Sequence, residues 1–486
     1  MQVIGRMGLG ALIVANLAAC GLKPGLPLAV AAVGDRPFLA QMVAAPRPTQ
    51  SAFGGGDVQD GAPLDRPFSL SAGGEGLVTF AAAVPGADWE LAGNQGATLK
   101  LYLDGRYNQD VVIPTGAALH PFDVSLGHVE PGPHVLRFER NGAFSATLQQ
   151  RIQLGDGRVS VVTPQDPGYQ IYAHAPIMLG RPESFRTDVP VVMFYDQKPG
   201  NDGKQRVRYT YVFTNEDGGT NTRALMARWG RTVDIDWCYD MQLDGAGNAS
   251  DGTYQGKLHV THDFKGRYEG AHPILRDATQ NNVYDDQGDS PLKFRFPPHT
   301  RLDPDNNTRE SVLDENPWIF ALTSKELFRE DKAVKDLGAP GAMDPKPKIA
   351  DPRRFLYVDF KQSWSGRGLG VGVKLRGYAQ PFYSHRGDAD LTANRSGWVR
   401  VAVELPRAIG PADIERLDLG GPGSGTSVVE GVRQVQILDH DYLPVVFPIS
   451  WKGSATLKND DDRLVFYQGH RSEPLPAAPS GVRTVN

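Results

Sequence analysis

A set of acidic side chains in the middle of the sequence is the feature with the clearest chemical potential. The residues from Asp234 to Leu243 alternate strictly between polar and apolar, which predicts a β-strand with Asp234, Asp236 and Asp240 on one face. Three neighbouring carboxylates repel one another unless they are exposed, paired with cations or bound to a metal ion. Two interpretations stay open: a site for a hard cation such as calcium, or a face that is arginine-paired or wet.

The opposite face of this predicted strand carries five large apolar side chains, Ile235, Trp237, Tyr239, Met241 and Leu243. Burial of each is worth roughly 1.5–3 kcal/mol, so the five together fix the register of the strand. A slip by one residue would drive the aspartates into the core instead. We therefore expect the apolar face to be buried and the acidic face to point away from the core.

A second candidate site is an acid/base pair in the same region. Glu216 and Asp217 follow a predicted strand and precede a short predicted helix that ends at Gly230. His272 follows a predicted turn and could reach a cleft near Glu216, and a histidine beside a carboxylate is the usual arrangement for general acid/base catalysis. The alternative is that His272, which precedes a proline, is an ordinary loop residue.

Three aromatic residues in the C-terminal third form a third candidate site. Tyr378, Phe382 and Tyr383 belong to a short run that is typical of a turn. Exposed rings offer apolar faces on which a sugar ring stacks. The alternative for each ring is packing against the core of its own domain.

The composition favours a multidomain, all-β protein. The chain has 486 residues, and its 55 glycines and 37 prolines separate short apolar runs. The net charge of −5 and the lack of a long basic run give no support to a nucleic acid partner. Of the two cysteines, Cys238 has no other cysteine near it in the sequence, as a zinc site would need. A buried, inert thiol is therefore favoured.

Alternating strands divide the chain into regions joined by Gly/Pro-rich segments. The stretch from Asp123 to Leu136 resembles strand–turn–strand units of immunoglobulin-like accessory domains, and Val435 to Asp441 resembles jelly-roll modules of carbohydrate-active proteins. The expected architecture is a series of β-sandwich or jelly-roll domains with a few short helices. The predicted regions are an immunoglobulin-like sandwich at 67–165, a central β domain at 169–300, a partly helical connector at 301–350, a jelly-roll-like module at 351–455 and a disordered tail at 473–486.

The first twenty residues are typical of an export signal. One cation and an apolar run precede the sequence from Leu17 to Cys20, which resembles a bacterial lipobox. That resemblance implies lipidation of Cys20 and, since glycine rather than aspartate follows, anchoring in the outer membrane. Residues 21–66 are then expected to form a tether. The alternative is ordinary secretion with cleavage after Ala32.

Two classes of function compete at this stage. The first is a cell-envelope lipoprotein that binds a glycan or another surface without turnover. The second is a hydrolase or lyase that acts on an extracellular polysaccharide through Glu216, Asp217 and His272, with or without calcium at the aspartates. The block from Asn215 to Trp237 resembles a segment of uncharacterised bacterial exported proteins, and this resemblance implies no activity.

Overall fold

The structure is a computed structural model that describes residues 50–116, 118–146, 151–216, 218–343 and 346–469. Strands account for 48% and helices for 12% of it, which confirms the prediction of an all-β protein with few helices. Within these ranges no helix is both long and apolar enough to span a bilayer. Cys20, the expected signal and tether up to residue 49, Asp217 and the tail at 473–486 lie outside the described residues.

The first region is a sandwich of two antiparallel sheets. One sheet has the order β1-β9-β4-β7, with β2 also on β9, and the other has the order β3-β8-β5-β6. Alternate residues of both sheets fill a common apolar core. The strands are β1 (Gln50–Phe53), β2 (Gly56–Gln59), β3 (Leu64–Leu70), β4 (Gly74–Ala83), β5 (Ala97–Leu103), β6 (Arg106–Ile113), β7 (His120–Val129), β8 (Gly132–Arg140) and β9 (Arg151–Val162).

This sandwich begins earlier than the sequence predicts. Residues 50–66 were expected to belong to the tether, but β1 and β2 pair with β9, and β3 starts at Leu64. Phe53 and Val58 are buried in the sandwich core. The expectation was wrong here because the glycines between these short strands resemble a linker, whereas they form close turns of a sheet.

The central region contains two further sheets. A six-stranded sheet has the order β15-β14-β13-β12-β11-β20, and a smaller sheet has the order β16-β17-β10-β19, with β18 on β17. Both contain one parallel pair, β11 with β20 and β10 with β17. The strands are β10 (Ile177–Leu179), β11 (Pro190–Pro199), β12 (Gln205–Phe213), β13 (Ile235–Leu243), β14 (Ala249–Gln255), β15 (Thr261–Asp263), β16 (Tyr268–Glu269), β17 (His272–Asp277), β18 (Tyr284–Asp285), β19 (Lys293–Phe294) and β20 (Thr300–Leu302).

In the part of the chain that the structure describes, four α-helices accompany the central sheets. They are α1 (Tyr169–Ala173), α2 (Thr222–Trp229), α3 (Ser311–Glu315) and α4 (Trp318–Arg329). The side chain of Asn221 accepts a hydrogen bond from the backbone of Ala224 at the start of α2, and Gly230 ends this helix in a left-handed conformation. Helices α3 and α4 lie within the predicted connector.

The C-terminal region is a second sandwich. Its sheets have the orders β24-β21-β26-β27, with β28 also on β26, and β23-β22-β25-β29. The last strand pairs with β25, so the domain extends beyond the predicted boundary at residue 455. The strands are β21 (Phe355–Ser365), β22 (Gly370–Leu375), β23 (Phe382–Tyr383), β24 (Gly397–Glu404), β25 (Ile414–Gly420), β26 (Thr426–Leu438), β27 (Pro444–Phe447), β28 (Trp451–Leu457) and β29 (Leu464–Gln468).

One apolar core joins the central region to this second sandwich. It combines residues of the six-stranded sheet, of α2 to α4 and of the outer face of the sandwich, such as Val212, Phe320 and Tyr357. At the same junction the buried guanidinium of Arg400 donates to Asp359 and to Asp314, with distances of 2.6 Å to each. The junction is therefore both apolar and ion-paired.

Candidate functional site

A bulge in β13 breaks the alternation that the sequence predicts. Tyr209 pairs with Tyr239 and the next residue of β12 pairs with Trp237, so Cys238 is an extra residue on β13. The guanidinium of Arg208 lies 4.6 Å from the ring centre of Trp237 and donates to Asp240 at 2.7 Å. Trp237 and Asp240 therefore share a face, which a regular strand would forbid.

The predicted acidic face is therefore wrong as a unit. Asp240 accepts hydrogen bonds from the Nε atoms of Arg206 and Arg208, each at a distance of 2.7 Å. Asp236 points to the other side of the sheet, and both aspartates are buried. No group of three or more candidate metal ligands occurs within the described ranges. Calcium binding by Asp234, Asp236 and Asp240 together is not compatible with this geometry.

Three carboxylates near the start of β13 repel one another without forming a metal site, and we call Glu216, Asp234 and Asp236 the acidic centre. The amide of Asn282 donates to Asp234 at 3.1 Å, and the backbone of Thr220 donates to Glu216 at 2.6 Å. Burial, followed by repulsion from Asp236, raises the pKa of Asp234 to about 7. Burial, followed by repulsion from Asp234, raises the pKa of Glu216 to about 7 as well.

Arginines compensate the charge of the acidic centre. Arg231 has its Nη1 atom 3.7 Å from Asp234 and its Nε atom 3.5 Å from Glu310. Arg309 lies 3.5 Å from the same carboxylate of Glu310. Both side chains of the Arg231–Asp234 pair are 4% exposed. The centre is thus a closed ionic network rather than an open cleft.

The histidine next to the acidic centre is His259, which the sequence analysis does not propose. Its Nδ1 atom lies 4.0 Å from Asp236 and 2.8 Å from the amide nitrogen of Gln255. It occupies a hairpin tip at which both Leu258 and His259 have positive φ angles, 60° and 58°. This turn brings the ring of His259 to the carboxylate of Asp236. Its two positive-φ positions are not glycines, so the sequence carries no signal for it.

His272 lies elsewhere, and the predicted pairing with Glu216 is wrong. Its Nδ1 atom is 2.8 Å from the carbonyl oxygen of Ala175, and its Nε2 atom is 3.1 Å from Glu75 in the first sandwich. The parallel pairing of β17 with β10 carries His272 to this junction. The side chain is buried there, so it links the two regions.

The aromatic residues of the C-terminal sandwich largely contact their own domain. The rings of Tyr378 and Phe382 are 5.4 Å apart, and both pack against the sandwich core. Tyr383 stacks on His385 at 5.2 Å and lies under the guanidinium of Arg463. All three are half-buried. Nothing in this arrangement tests sugar binding by these residues, which stays a prediction.

A cavity lies between the first sandwich and the central region, and we call it the interdomain cavity. Its volume is about 390 Å³. On the sandwich side the register places Asp123, Thr79 and Arg158 side by side on β7, β4 and β9. The hydroxyl of Thr79 donates to Asp123 at 2.5 Å. All three side chains face away from the sandwich core, which their neighbours Val78, Val124 and Val159 fill.

The central region supplies the opposite side of the interdomain cavity. The Nε2 atom of His299 is 4.0 Å from Asp123, and its Nδ1 atom is 3.2 Å from the hydroxyl of Tyr172. Glu315 also lines the cavity, and burial, followed by repulsion from Asp314, raises its pKa.

Aromatic groups accompany these polar side chains. The rings of His120 and Trp318 are 4.7 Å apart at one side of the cavity, and Phe122 and Phe296 also line it. Burial lowers the pKa of His120 to about 4, so this ring is neutral at pH 7. Sequence reasoning misses the cavity because a polar outer face of a sandwich is ordinarily solvated.

Comparisons with known proteins give no family. No family model matches the chain, and no curated protein matches it. Parts of the chain are similar to a carbohydrate-binding module of a Cellvibrio mixtus lichenase in complex with cellotriose (14% identity, TM-score 0.17, 24% of this chain and 92% of that one). Part of the chain is also similar to the sugar-binding C-terminal domain of EclA (15% identity, TM-score 0.16, 24% of this chain and 72% of that one).

A third similar structure is a ruminal endo-beta-1,4-mannanase, with 12% identity and a TM-score of 0.17. The match covers 25% of this chain and 27% of the mannanase, so the chain spans about a quarter of its length. A TNF from S. frugiperda is similar at the same TM-score. Function therefore has to be argued from the residues themselves.

Proposed function

We propose that this protein is a cell-envelope lipoprotein that binds a glycan in the interdomain cavity. The observation that carries the proposal is the combination of rings and hydrogen-bonding side chains around one accessible volume. A cavity of about 390 Å³ falls at the small end of the roughly 300–1,000 Å³ that is usual for small-molecule sites. Such a volume suits a short glycan or the end of a longer one.

The chemistry of a sugar matches the two kinds of group that line the cavity. The C–H face of a pyranose is apolar and stacks on rings, which His120 and Trp318 supply. The hydroxyl groups of a pyranose both donate and accept hydrogen bonds, for which Asp123, His299 and Glu315 offer partners. Binding needs no convergence of an acid and a base, and this favours recognition over turnover.

Calorimetric titration with a panel of mono- and oligosaccharides tests this function. We expect Trp318→Ala to weaken binding about tenfold, because an aromatic contact is worth on the order of 1 kcal/mol beyond its area. Ser160 also lines the cavity. Ser160→Ala removes only its hydroxyl group and should weaken binding without affecting the fold.

The matched control is Trp364→Ala, since Trp364 is 40% exposed on the second sandwich and does not line the cavity. If Trp364→Ala abolishes binding while the two cavity variants bind normally, the glycan site is in the C-terminal sandwich. If no saccharide binds to the intact protein, the proposal is wrong. Melting curves of all variants separate loss of binding from loss of fold.

The membrane attachment rests on the lipobox and has its own test. We propose a lipid on Cys20 that anchors the protein in the outer membrane. Expression of Cys20→Ala with labelled palmitate should abolish incorporation of the label and prevent normal processing of the signal. Label that persists in the variant, or cleavage after Ala32 in the unaltered protein, would contradict lipid anchoring.

A further inference from the structure

Arg158 is distinctive among the charged residues of the interdomain cavity. It lies in the middle of β9, directly beside Thr79, and its side chain is half-buried. Within the part of the chain that the structure describes, its guanidinium has no hydrogen-bond or ion-pair partner. A rigid scaffold of paired strands therefore holds a cation at the cavity without an anion to neutralise it.

The other charged groups of the cavity have partners. Asp123 accepts from Thr79 and lies 4.0 Å from His299. Arg295 is paired with Glu269. A ligand therefore gains the most binding free energy by contacting Arg158. A guanidinium in a partly desolvated site binds an anion through two parallel hydrogen bonds.

The register of the sheet also places opposite charges at the two ends of the row formed by Arg158, Thr79 and Asp123. Arg158 and Asp123 flank Thr79 on opposite sides, so their backbones are two strand spacings apart, about 10 Å. One end of the row is therefore cationic and the other anionic. A ligand with one negative group and several hydroxyls matches both ends, whereas a strongly anionic ligand would be repelled by Asp123 and Glu315.

We propose that the glycan is an acidic sugar whose single negative group, a carboxylate or a sulfate ester, binds to Arg158. This inference rests on the glycan-binding function proposed above and specifies its substrate class. The hydroxyls of the same ligand then face Asp123, and a sugar ring lies against His120 and Trp318. Arg158 determines which glycans bind, while the other groups bind neutral and acidic sugars alike.

The test compares matched sugars that differ only in their charge. Calorimetry with glucose and glucuronate, and with galactose and galacturonate, as short oligomers, should show that the protein prefers the acidic member roughly tenfold or more. Sulfated counterparts of the same oligomers identify which anionic group is the better ligand. The preference should diminish as the salt concentration rises.

Variants of Arg158 then measure the contribution of its charge to this preference. Arg158→Gln should remove the preference for acidic oligomers and leave the affinity for neutral ones unchanged. Arg158→Lys, which keeps the charge but loses the planar fork, should have an intermediate preference. Arg106→Gln is the matched control, because Arg106 is exposed at a hairpin of the same sandwich and does not line the cavity.

The outcomes distinguish the two proposals. Equal affinity for acidic and neutral oligomers in the unaltered protein overturns the assignment of Arg158 but leaves glycan binding in place. An equal loss of both affinities in Arg158→Gln also overturns it, because the residue would then have no role in selectivity. Absence of binding to every oligomer refutes the glycan-binding function itself.

Discussion

The interdomain cavity and the acidic centre gather a similar number of ionisable side chains in different ways. In the cavity, Arg158 and Glu315 border an open volume. In the acidic centre, Asp234 and Glu216 are enclosed with Arg231, and burial raises the pKa of both carboxyl groups to about 7. Ionisable groups in proximity thus indicate a binding site only when volume accompanies them.

The comparison also separates stability from recognition. Removing charges from water costs free energy that ion pairing only partly offsets. The charges of the acidic centre are desolvated when the protein folds, so substitutions there should change the unfolding free energy. A cavity charge without a protein partner contributes little to folding, so Arg158 should matter for ligands. The predictions below test this separation, from the largest expected effect to the smallest.

The first prediction compares the same substitution in the two regions. Arg231→Ala leaves Asp234 without its ion-pair partner and Glu310 with Arg309 alone, and the loss should be about 3–5 kcal/mol of unfolding free energy. Arg158→Ala should change the unfolding free energy by no more than about 0.5 kcal/mol, because no hydrogen bond or ion pair within the protein is lost. Urea unfolding of both variants at pH 7 measures the difference. Equal destabilisation by the two variants would remove the distinction between the regions.

The second prediction concerns pH. The carboxyl group of Asp234 has a pKa of about 7 in the folded protein, against about 4 in the unfolded chain. Between these values the folded state keeps a proton that the unfolded state has released, so the unfolding free energy falls as the pH rises from 4 to 7. At about 1.4 kcal/mol per unit over about three units, this group contributes a loss on the order of 4 kcal/mol.

Asp234→Asn is neutral at every pH and should flatten this part of the stability profile. The asparagine can still accept from Asn282, so the hydrogen bond at this position is kept. Urea unfolding at several pH values between 4 and 8 measures the slope for both proteins. Identical slopes would mean that Asp234 titrates normally and that the acidic centre is more hydrated than its burial indicates.

The third prediction concerns the polar row of the cavity. Thr79→Val keeps the shape of the side chain but removes the hydroxyl that donates to Asp123. We expect a loss of about 1 kcal/mol in glycan affinity, since Asp123 is no longer held in place. Thr261→Val on β15, which is exposed and distant from this row in the sequence, is the control. Calorimetry of the two variants should show weaker binding only for Thr79→Val.

The smallest effect is expected in the C-terminal sandwich. Tyr383→Ala should leave the glycan affinity within about 0.5 kcal/mol of the unaltered protein, because the ring already contacts His385 and Arg463. A larger loss would move the binding site from the interdomain cavity to the aromatic residues that the sequence highlights. The same titration that is used for the cavity variants measures it.

Local patterns predict the strands well, and they fail where the backbone departs from regular geometry. Alternation correctly locates β13 between Ile235 and Leu243, but the extra residue at Cys238 reverses the faces on either side of it. A bulge depends on the partner strand, so the sequence of one strand does not reveal it. The separation of Asp240 from Asp236 follows directly from this irregularity.

Candidate residues could be predicted in part. Glu216, Asp234 and Asp236 do lie together, because β12 and β13 are sequential antiparallel neighbours. The histidine could not be predicted, since the choice between His259 and His272 depends on a strained hairpin tip and on a parallel pairing. The interdomain cavity requires elements that are far apart in the sequence, and such contacts leave no local signal.

The core shared by the central sheet, the helices and the second sandwich has a consequence for whether that sandwich can exist as a separate module. Tyr357 and Ala402 lie on the outer face of the sandwich, where an independent module would present polar side chains to water. Excised alone, that sandwich would expose these apolar residues together with the buried cation of Arg400. The second sandwich therefore depends on the region that covers it, and a graft of this sandwich alone onto another protein would present an apolar face to water.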